Sequence, residues 1–301
     1  MTTALITGAR GFIARHLAPV LQAAGVRVIG VSRQAGPLPG CAVIHAAALG
    51  DSLAPLFARE RVDAVIHTAL DSRSHAYETN VEGTRRWLTE GQAASATTQV
   101  LLSSLSADAD ARADYGRAKY ALEQDFLAAG QTVFRMGVVI GEGGMFARMV
   151  ESARRYPFVP LLDGGQQLIY VLGIDFLCQV LRDTVQSGGA GLQGRAWNLQ
   201  QPTPHPLSEV IAAITAAYGF RRLLLPLPAR PMVGLLRLFE KQALVRLPVT
   251  STNVEGLIQQ GRRMLPSDFA RFGYAEESLD ELIRRARHAA GTGNASFGGA
   301  S

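Results

Sequence analysis

The sequence predicts an α/β fold, a doubly wound parallel sheet followed by a smaller, mainly helical C-terminal lobe. Three observations carry this. Residues 3–25 read as strand, glycine turn and helix. Short β-branched or apolar runs then alternate with helical patterns as far as Met136, the rhythm of a parallel sheet with crossover helices. Beyond Met145 the rhythm breaks into irregular helices and Pro-interrupted extended pieces. On this reading residues 1–145 form the sheet domain and 146–290 a substrate-binding lobe interleaved with late strands. Residues 291–301, a Gly/Ala/Ser tail, are expected to be flexible.

Thr3–Thr7 meets Gly8-Ala-Arg10-Gly11-Phe12-Ile13-Ala14, and a helical pattern follows through Ala24, with Phe12, Ile13, Leu17, Val20 and Leu21 on one side. Gly8 permits a tight turn, Gly11 lets backbone approach a diphosphate, and Ala14 takes the close-packing position between helix and sheet. The N–H groups at the helix start and the positive end of its dipole suit phosphates. This is a Rossmann-like dinucleotide loop. Gly25 ends the helix and Val26–Val31 is the second strand. A site specific for NAD carries Asp or Glu at the end of that strand. This chain has Ser32-Arg33, and a hydroxyl with a guanidinium suits a 2′-phosphate. With Arg10 as a possible second guanidinium, NADP(H) is expected over NAD(H).

Ala42–His45 reads as a third strand, ahead of a helix from about Leu53. Asp51 either accepts from an adenine amino group or caps that helix; the sequence leaves these even. Ala64–Thr68 is a buried parallel strand whose end lies beside the first loop, so Thr68, Ala69 and Leu70 are expected to line the cofactor. His67 reads as a core histidine rather than a base. A helix over Asn80–Ala93, a strand at Val100–Ser103, a helix from Tyr115 to Ala129 and a strand at Thr132–Met136 follow. The glycine-rich exit 137–144 adds Val138 to the expected cofactor contacts. Later come a helix to Tyr156, the segment 157–165, a helix over Asp175–Val185, a short strand at Trp197–Leu199 and a helix from Pro206 through Tyr218. The apolar, Pro-broken stretch Leu223–Phe239 reads as a core strand and helix of the lobe.

Composition narrows the class. At 48% apolar residues the 301-residue chain can bury a sizeable core. It has no apolar run of membrane-spanning length and no basic start followed by an apolar segment, so neither a span nor a signal peptide is expected. Cys41 and Cys178 are too isolated for a disulfide framework or a metal site and read as buried small residues, which suits a reducing, cytoplasmic setting. The net charge of +5 is diffuse, with no Lys/Arg run longer than two, and fits phosphate ligands better than nucleic acid.

Only two of the thirty basic residues are lysines, Lys119 and Lys241. A chain that otherwise uses arginine has kept an amine four residues after Tyr115, on one helical face. A serine ending the preceding strand joins phenol and ammonium at the sheet edge, a set suited to moving protons to and from a carbonyl or alcohol.

The loop Thr7–Ala14, the strand 63–69, Asn80-Val-Glu-Gly-Thr84, Ser103-Ser104 and Tyr115-x-x-x-Lys119 occur in one order. In this the chain resembles the extended short-chain dehydrogenase/reductases, the NAD(P)-dependent epimerases, dehydratases and reductases of nucleotide-sugars. Residues 247–257 and Phe272-Gly-Tyr274 resemble the lobe of the sugar-nucleotide epimerases. The resemblance implies Tyr115 as acid/base, Lys119 on the nicotinamide ribose and beside the phenol, and Ser104 orienting the substrate oxygen. Tyr115 and Lys119 therefore count as cofactor contacts too. It also implies a nucleotide-sugar substrate and a homodimer formed by the helices near 80–93 and 115–129. The chain departs from the pattern in a short bridge between Ser104 and Tyr115. It has Leu105-Ser106 where dehydratases place an Asp-Glu pair, which argues against sugar dehydration. Near the lobe's helix start, Ile174-Asp175 keeps one of the family's paired acids. An epimerase or 4-keto reductase is the leading expectation, with a reductase of a small hydrophobic carbonyl and a non-catalytic cofactor sensor as alternatives.

Overall fold

The structure, a computed structural model, describes residues 1–73, 76–228 and 264–293. It divides into two compact units: Met1–Met136 with Ile174–Leu199, and Gly137–Gly173 with the described part of Gln200–Ser301.

The first unit is built on seven parallel strands: β1 (Thr3–Thr7), β2 (Arg27–Ser32), β3 (Val43–Ala46), β4 (Ala64–His67), β5 (Thr98–Ser104), β6 (Thr132–Met136) and β11 (Ala196–Asn198), in the order β11-β6-β5-β4-β1-β2-β3. The order reverses at β1, so the crevice outside the carboxyl ends of β1 and β4 is the topological switch point where such sheets take ligands. Unbroken burial of Thr3–Thr7 and Ala64–His67 is what a strand covered on both faces requires. Helix α1 (Phe12–Ala23) lies beside α6 (Ile174–Gln186), and α3 (Tyr77–Ala93) lies beside α4 (Asp114–Ala128). Trp87 of α3 is buried on Leu5, Ile29 and Val65, and Leu122 and Phe126 of α4 are buried on Leu101 and Val133. Each such aliphatic or aromatic side chain contributes about 1.5–3 kcal/mol by leaving water. Cys178 is buried as expected, whereas Cys41 is only half-buried. The helix expected from Leu53 is a single turn, α2 (Ala54–Phe57), because residues 58–63 are needed to return the chain to β4.

The second unit has three short strand pairs and three α-helices among its described residues. β7 (Val138–Ile140) runs parallel to β10 (Val171–Gly173), and β8 (Phe158–Leu162) runs parallel to β13 (Leu223–Leu227). β9 (Leu168–Ile169) is antiparallel to β12 (His205–Pro206). Helices α5 (Gly144–Arg155), α7 (Leu207–Tyr218) and α8 (Leu279–Gly293) enclose a core that includes Phe146, Val171, Val210, Ile214 and Ile283. Because β7 pairs with β10 and not with the central sheet, the first unit's main stretch ends at Met136, whereas the sequence reading ran on to 145. Segment 157–165 carries a strand. Leu223, expected in the core, is 62% exposed at the start of β13; residues 229–239 lie outside the described residues. Helix α8 continues through Gly293, three residues into the expected tail, and 294–301 lie outside the described residues. Among the described residues no helix is long and apolar enough to cross a membrane, and no group of side chains is arranged to hold a metal ion.

Candidate active site

The exits of β1 and β4 are tied together by Thr7. Its Oγ1 accepts the N–H groups of Thr68 and Ala69, both at 3.1 Å, and its carbonyl accepts the Thr68 hydroxyl at 2.5 Å. Gly8 turns the chain with φ +67°, and a Cβ there would lie 2.8 Å from the Ala69 Cα, so backbone conformation and space both demand glycine. The Gly11 N–H closes the turn on the Gly8 carbonyl at 2.7 Å. Gly11 then caps α1 without a side chain, and the first turn, which includes Phe12 and Ile13, contains no acid. A helix start with no capping side chain and no negative charge, at the switch point of a parallel sheet, fits a dinucleotide diphosphate. Ala14 is buried against the sheet as the loop pattern requires.

Beside this loop the expected specificity residues are divided in their tasks. Ser32 is buried and its Oγ accepts the Gln34 N–H at 3.3 Å. Arg33 is exposed. Arg10 donates to the carbonyls of Ala35 at 2.8 Å and Gly36 at 3.3 Å, so it braces the loop after β2. Asp71, beyond the β4 exit, is held down to about 2 by hydrogen bonds from Arg73, with a smaller contribution from the charge of Arg33. Asp51 does not cap α2. Its Oδ2 accepts the Ala48 N–H at 2.7 Å, while Glu90 takes the Leu53 N–H at 2.6 Å and the Ser52 hydroxyl takes the Ala54 N–H at 3.2 Å. Thr68 and Ala69 are half-buried at the sheet edge and Leu70 is exposed. Val138 belongs to the second unit, where its N–H donates to the Tyr170 carbonyl at 2.7 Å.

The β5–α4 corner holds the other candidates. Ser104 ends β5, and its hydroxyl lies 2.9 Å from that of Ser106 and accepts the Ser106 N–H at 3.1 Å. Tyr115 sits in the first turn of α4, 42% exposed. One turn on, Lys119 is 6% exposed and donates from Nζ to the Leu102 carbonyl at 2.6 Å, with Nζ 6.0 Å from the centre of the Tyr115 ring. Burial lowers the Lys119 ammonium to about 8, against the opposing pull of the Glu123 charge. The structure thus brings the phenol and the ammonium together at the end of the strand that Ser104 terminates. His67 is a core residue as expected. It is buried, with Nε2 2.9 Å from Gln99 Oε1 and its ring edge-on to Phe126, and burial lowers it to about 4.

Two features escaped the sequence reading. Gly116 lets the short bridge lie directly on α4, since a Cβ there would sit 2.5 Å from the Ser106 carbonyl oxygen and 2.8 Å from the Ala111 Cβ. A glycine next to the tyrosine in a helix, where it costs about 1 kcal/mol relative to alanine, was the available signal. The second is a buried ionic cluster. Glu123, fully buried, accepts from the Ser103 hydroxyl at 2.5 Å and from Arg135 through Nε at 3.0 Å and Nη2 at 2.5 Å. In the second unit Tyr170 is buried with its hydroxyl accepting the Leu265 N–H, Gln167 is buried with Nε2 on the Leu162 carbonyl, and the Arg148 guanidinium lies 4.0 Å from the Met145 sulfur.

Residues 4–171, which run from β1 into β10, match the sequence model of the NAD dependent epimerase/dehydratase family, and the chain belongs to that family. Its fold is shared with solved structures of low sequence identity. A UDP-glucose 4-epimerase from Thermotoga maritima, solved with UDP-glucose, is 17% identical with a TM-score of 0.72 over 97% of this chain and 99% of its own. The Bifidobacterium longum UDP-glucose 4-epimerase, solved with NAD+ and UDP, is 17% identical with a TM-score of 0.72 over 98% and 100%. The Bordetella bronchiseptica enzyme WbmH, in complex with NAD+, is 18% identical with a TM-score of 0.71 over 96% and 98%. No curated protein matches the sequence.

Proposed function

We propose that this protein is an NAD(P)-dependent oxidoreductase or isomerase of a nucleotide-sugar, an epimerase or 4-keto reductase, working through Ser104, Tyr115 and Lys119. The observation that carries the reading is the buried Lys119 ammonium, hydrogen-bonded to the strand end and lying under Tyr115. Burying an ammonium costs stability, and such a cost is typical of a functional group. A free phenol, titrating near about 10, is a poor base at neutral pH, and an adjacent ammonium favours its phenolate. Tyr115 then takes a proton from a substrate hydroxyl or returns one to a carbonyl. Ser104 donates a hydrogen bond to the same oxygen and fixes it as charge develops. Lys119 has N–H donors beyond the one spent on Leu102, suited to ribose hydroxyls. The nicotinamide, when bound, supplies the acceptor or donor of the electron pair.

The loop around Gly8 and Gly11 and the start of α1, with Phe12 and Ile13, would hold the diphosphate, and Thr68, Ala69 and Leu70 would line the cofactor. Asp51 would reach the adenine. Ser32 and Arg33, with no carboxylate ending β2, support NADP(H) over NAD(H), and Arg10 supports them by fixing the loop that follows. Nucleotide-sugar as substrate class rests on the family and on the UDP ligands of the similar structures. A homodimer through α3 and α4 and a cytoplasmic location complete the reading. A second reading, reduction of a small hydrophobic carbonyl, is favoured by the short bridge packed on Gly116, which leaves few residues to contact a sugar. Titration with UDP and dTDP separates the two. Binding supports the sugar, and no binding of either at millimolar nucleotide favours the small carbonyl.

A further inference from the structure

The fully buried carboxylate of Glu123 sits one helical turn beyond Lys119 on α4, and neither the family loop nor the serine–tyrosine–lysine set uses it. Its partners come from the sheet. Ser103 and Arg135 are paired across β5 and β6, and both reach the same carboxylate, Arg135 through two nitrogens. This cluster explains the paired serines. Along a strand successive side chains point to opposite faces, so Ser103 turns to α4 and is consumed by Glu123, while Ser104 is left at the strand end. Lys119 is anchored on Leu102, the residue before this pair, so ammonium and carboxylate grip adjacent positions of one strand.

We propose that Glu123, clamped by Arg135 and Ser103, is a positioning residue that keeps the buried Lys119 ammonium charged and locks α4 in register with the end of β5. The argument is one of charge balance. Around Lys119 lie Glu123 and Tyr115 on its own helix and His67 on β4. His67 is neutral at pH 7, held by Gln99, and the charge of Lys119 helps keep it so. Arg135, itself beside Tyr120 and Asp108, offsets Glu123. Glu123 is therefore the anion that opposes desolvation of the ammonium. The proposal rests on the reading of Lys119 as an active-site group.

Its primary readout needs neither cofactor nor substrate. The chain has two lysines, so 13Cε-lysine NMR resolves Lys119 from Lys241, with Lys241→Arg giving the assignment. In Glu123→Gln, which keeps the size and loses the charge, the Lys119 titration is expected to fall by about one pH unit or more. The alkaline limb of turnover is expected to move down with it. Glu123→Asp keeps the charge but retracts it by one methylene and is expected to give a smaller shift in the same direction, so the test survives a Gln variant that does not fold. An unchanged Lys119 titration in a folded variant, even with lowered thermal stability, overturns the proposal and leaves Glu123 as a structural ion pair. Failure of the wild type to bind either nicotinamide cofactor would instead overturn the functional reading and leave the titration result intact.

Discussion

Two corners of the same sheet edge are built by different physics. The β1–α1 corner is made of backbone: a glycine at positive φ, threonine hydrogen bonds between strand exits, and a helix start without a side-chain cap. The β5–α4 corner is made of buried charge: Lys119 on a strand carbonyl, and Glu123 gripped by Arg135 and Ser103. A site that receives a charged ligand works with neutral, preorganised N–H groups. A site that moves protons needs ionisable groups whose titration the protein controls. The first corner should therefore be sensitive to volume and shape, and the second to charge and pH.

The largest effect is expected at the phenol. Tyr115→Phe should lower turnover about 10²–10⁴-fold while leaving cofactor affinity near that of the wild type, measured by steady-state kinetics and fluorescence titration. Gly8→Val sets a β-branched side chain at positive φ against the Ala69 backbone. It should cost about 3 kcal/mol or more in urea unfolding and abolish cofactor binding.

Lys119 gives the second corner its pH signature. Folded, it titrates at about 8 against an ordinary 10.5. Between those values the unfolded chain holds a proton that the folded chain has released, so stability should rise with pH across that window, by about 3 kcal/mol. Below it, the cost of burying the ammonium is fully present. Lys119→Met should accordingly raise the melting temperature at pH 7 while removing activity, a trade of stability for function that calorimetry would register. His67 acts at the acid end. Its lowered titration, to about 4 from 6.5, means stability is lost as pH falls through that range, and His67→Gln should flatten that limb of the unfolding profile. The smallest of these effects concerns the cofactor. Arg33→Ala should weaken NADP(H) about 10–100-fold and leave NAD(H) nearly unchanged if, as proposed, the guanidinium serves the 2′-phosphate alone.

The two corners also differed in how readable they were. The first is local in sequence: Thr3–Thr7, the glycines and α1 are contiguous, and Thr3–Thr7 falls on the strand the β-branched run implied. In the second corner the Tyr115–Lys119 spacing was legible because a helix brings residues four apart together, and because lysine is scarce here. Glu123 looked like any charge on a helix. Its partners lie 20 and 12 residues away along the chain, and only the strand register brings them to it. The backbone contacts of Asp51 and Arg10 were hidden for a related reason: only the folded loops bring the Ala48 N–H to Asp51 and the carbonyls of Ala35 and Gly36 to Arg10. The pairing of β8 with β13 was invisible for want of any local pattern linking segments so far apart.

Native mass spectrometry of the freshly purified protein is the most direct test of the proposed function. The account predicts a bound nicotinamide dinucleotide, or one that binds stoichiometrically on addition with NADP(H) ahead of NAD(H), and loss of that complex in Gly8→Val. A wild-type protein that carries no dinucleotide and takes up neither form when supplied would contradict it.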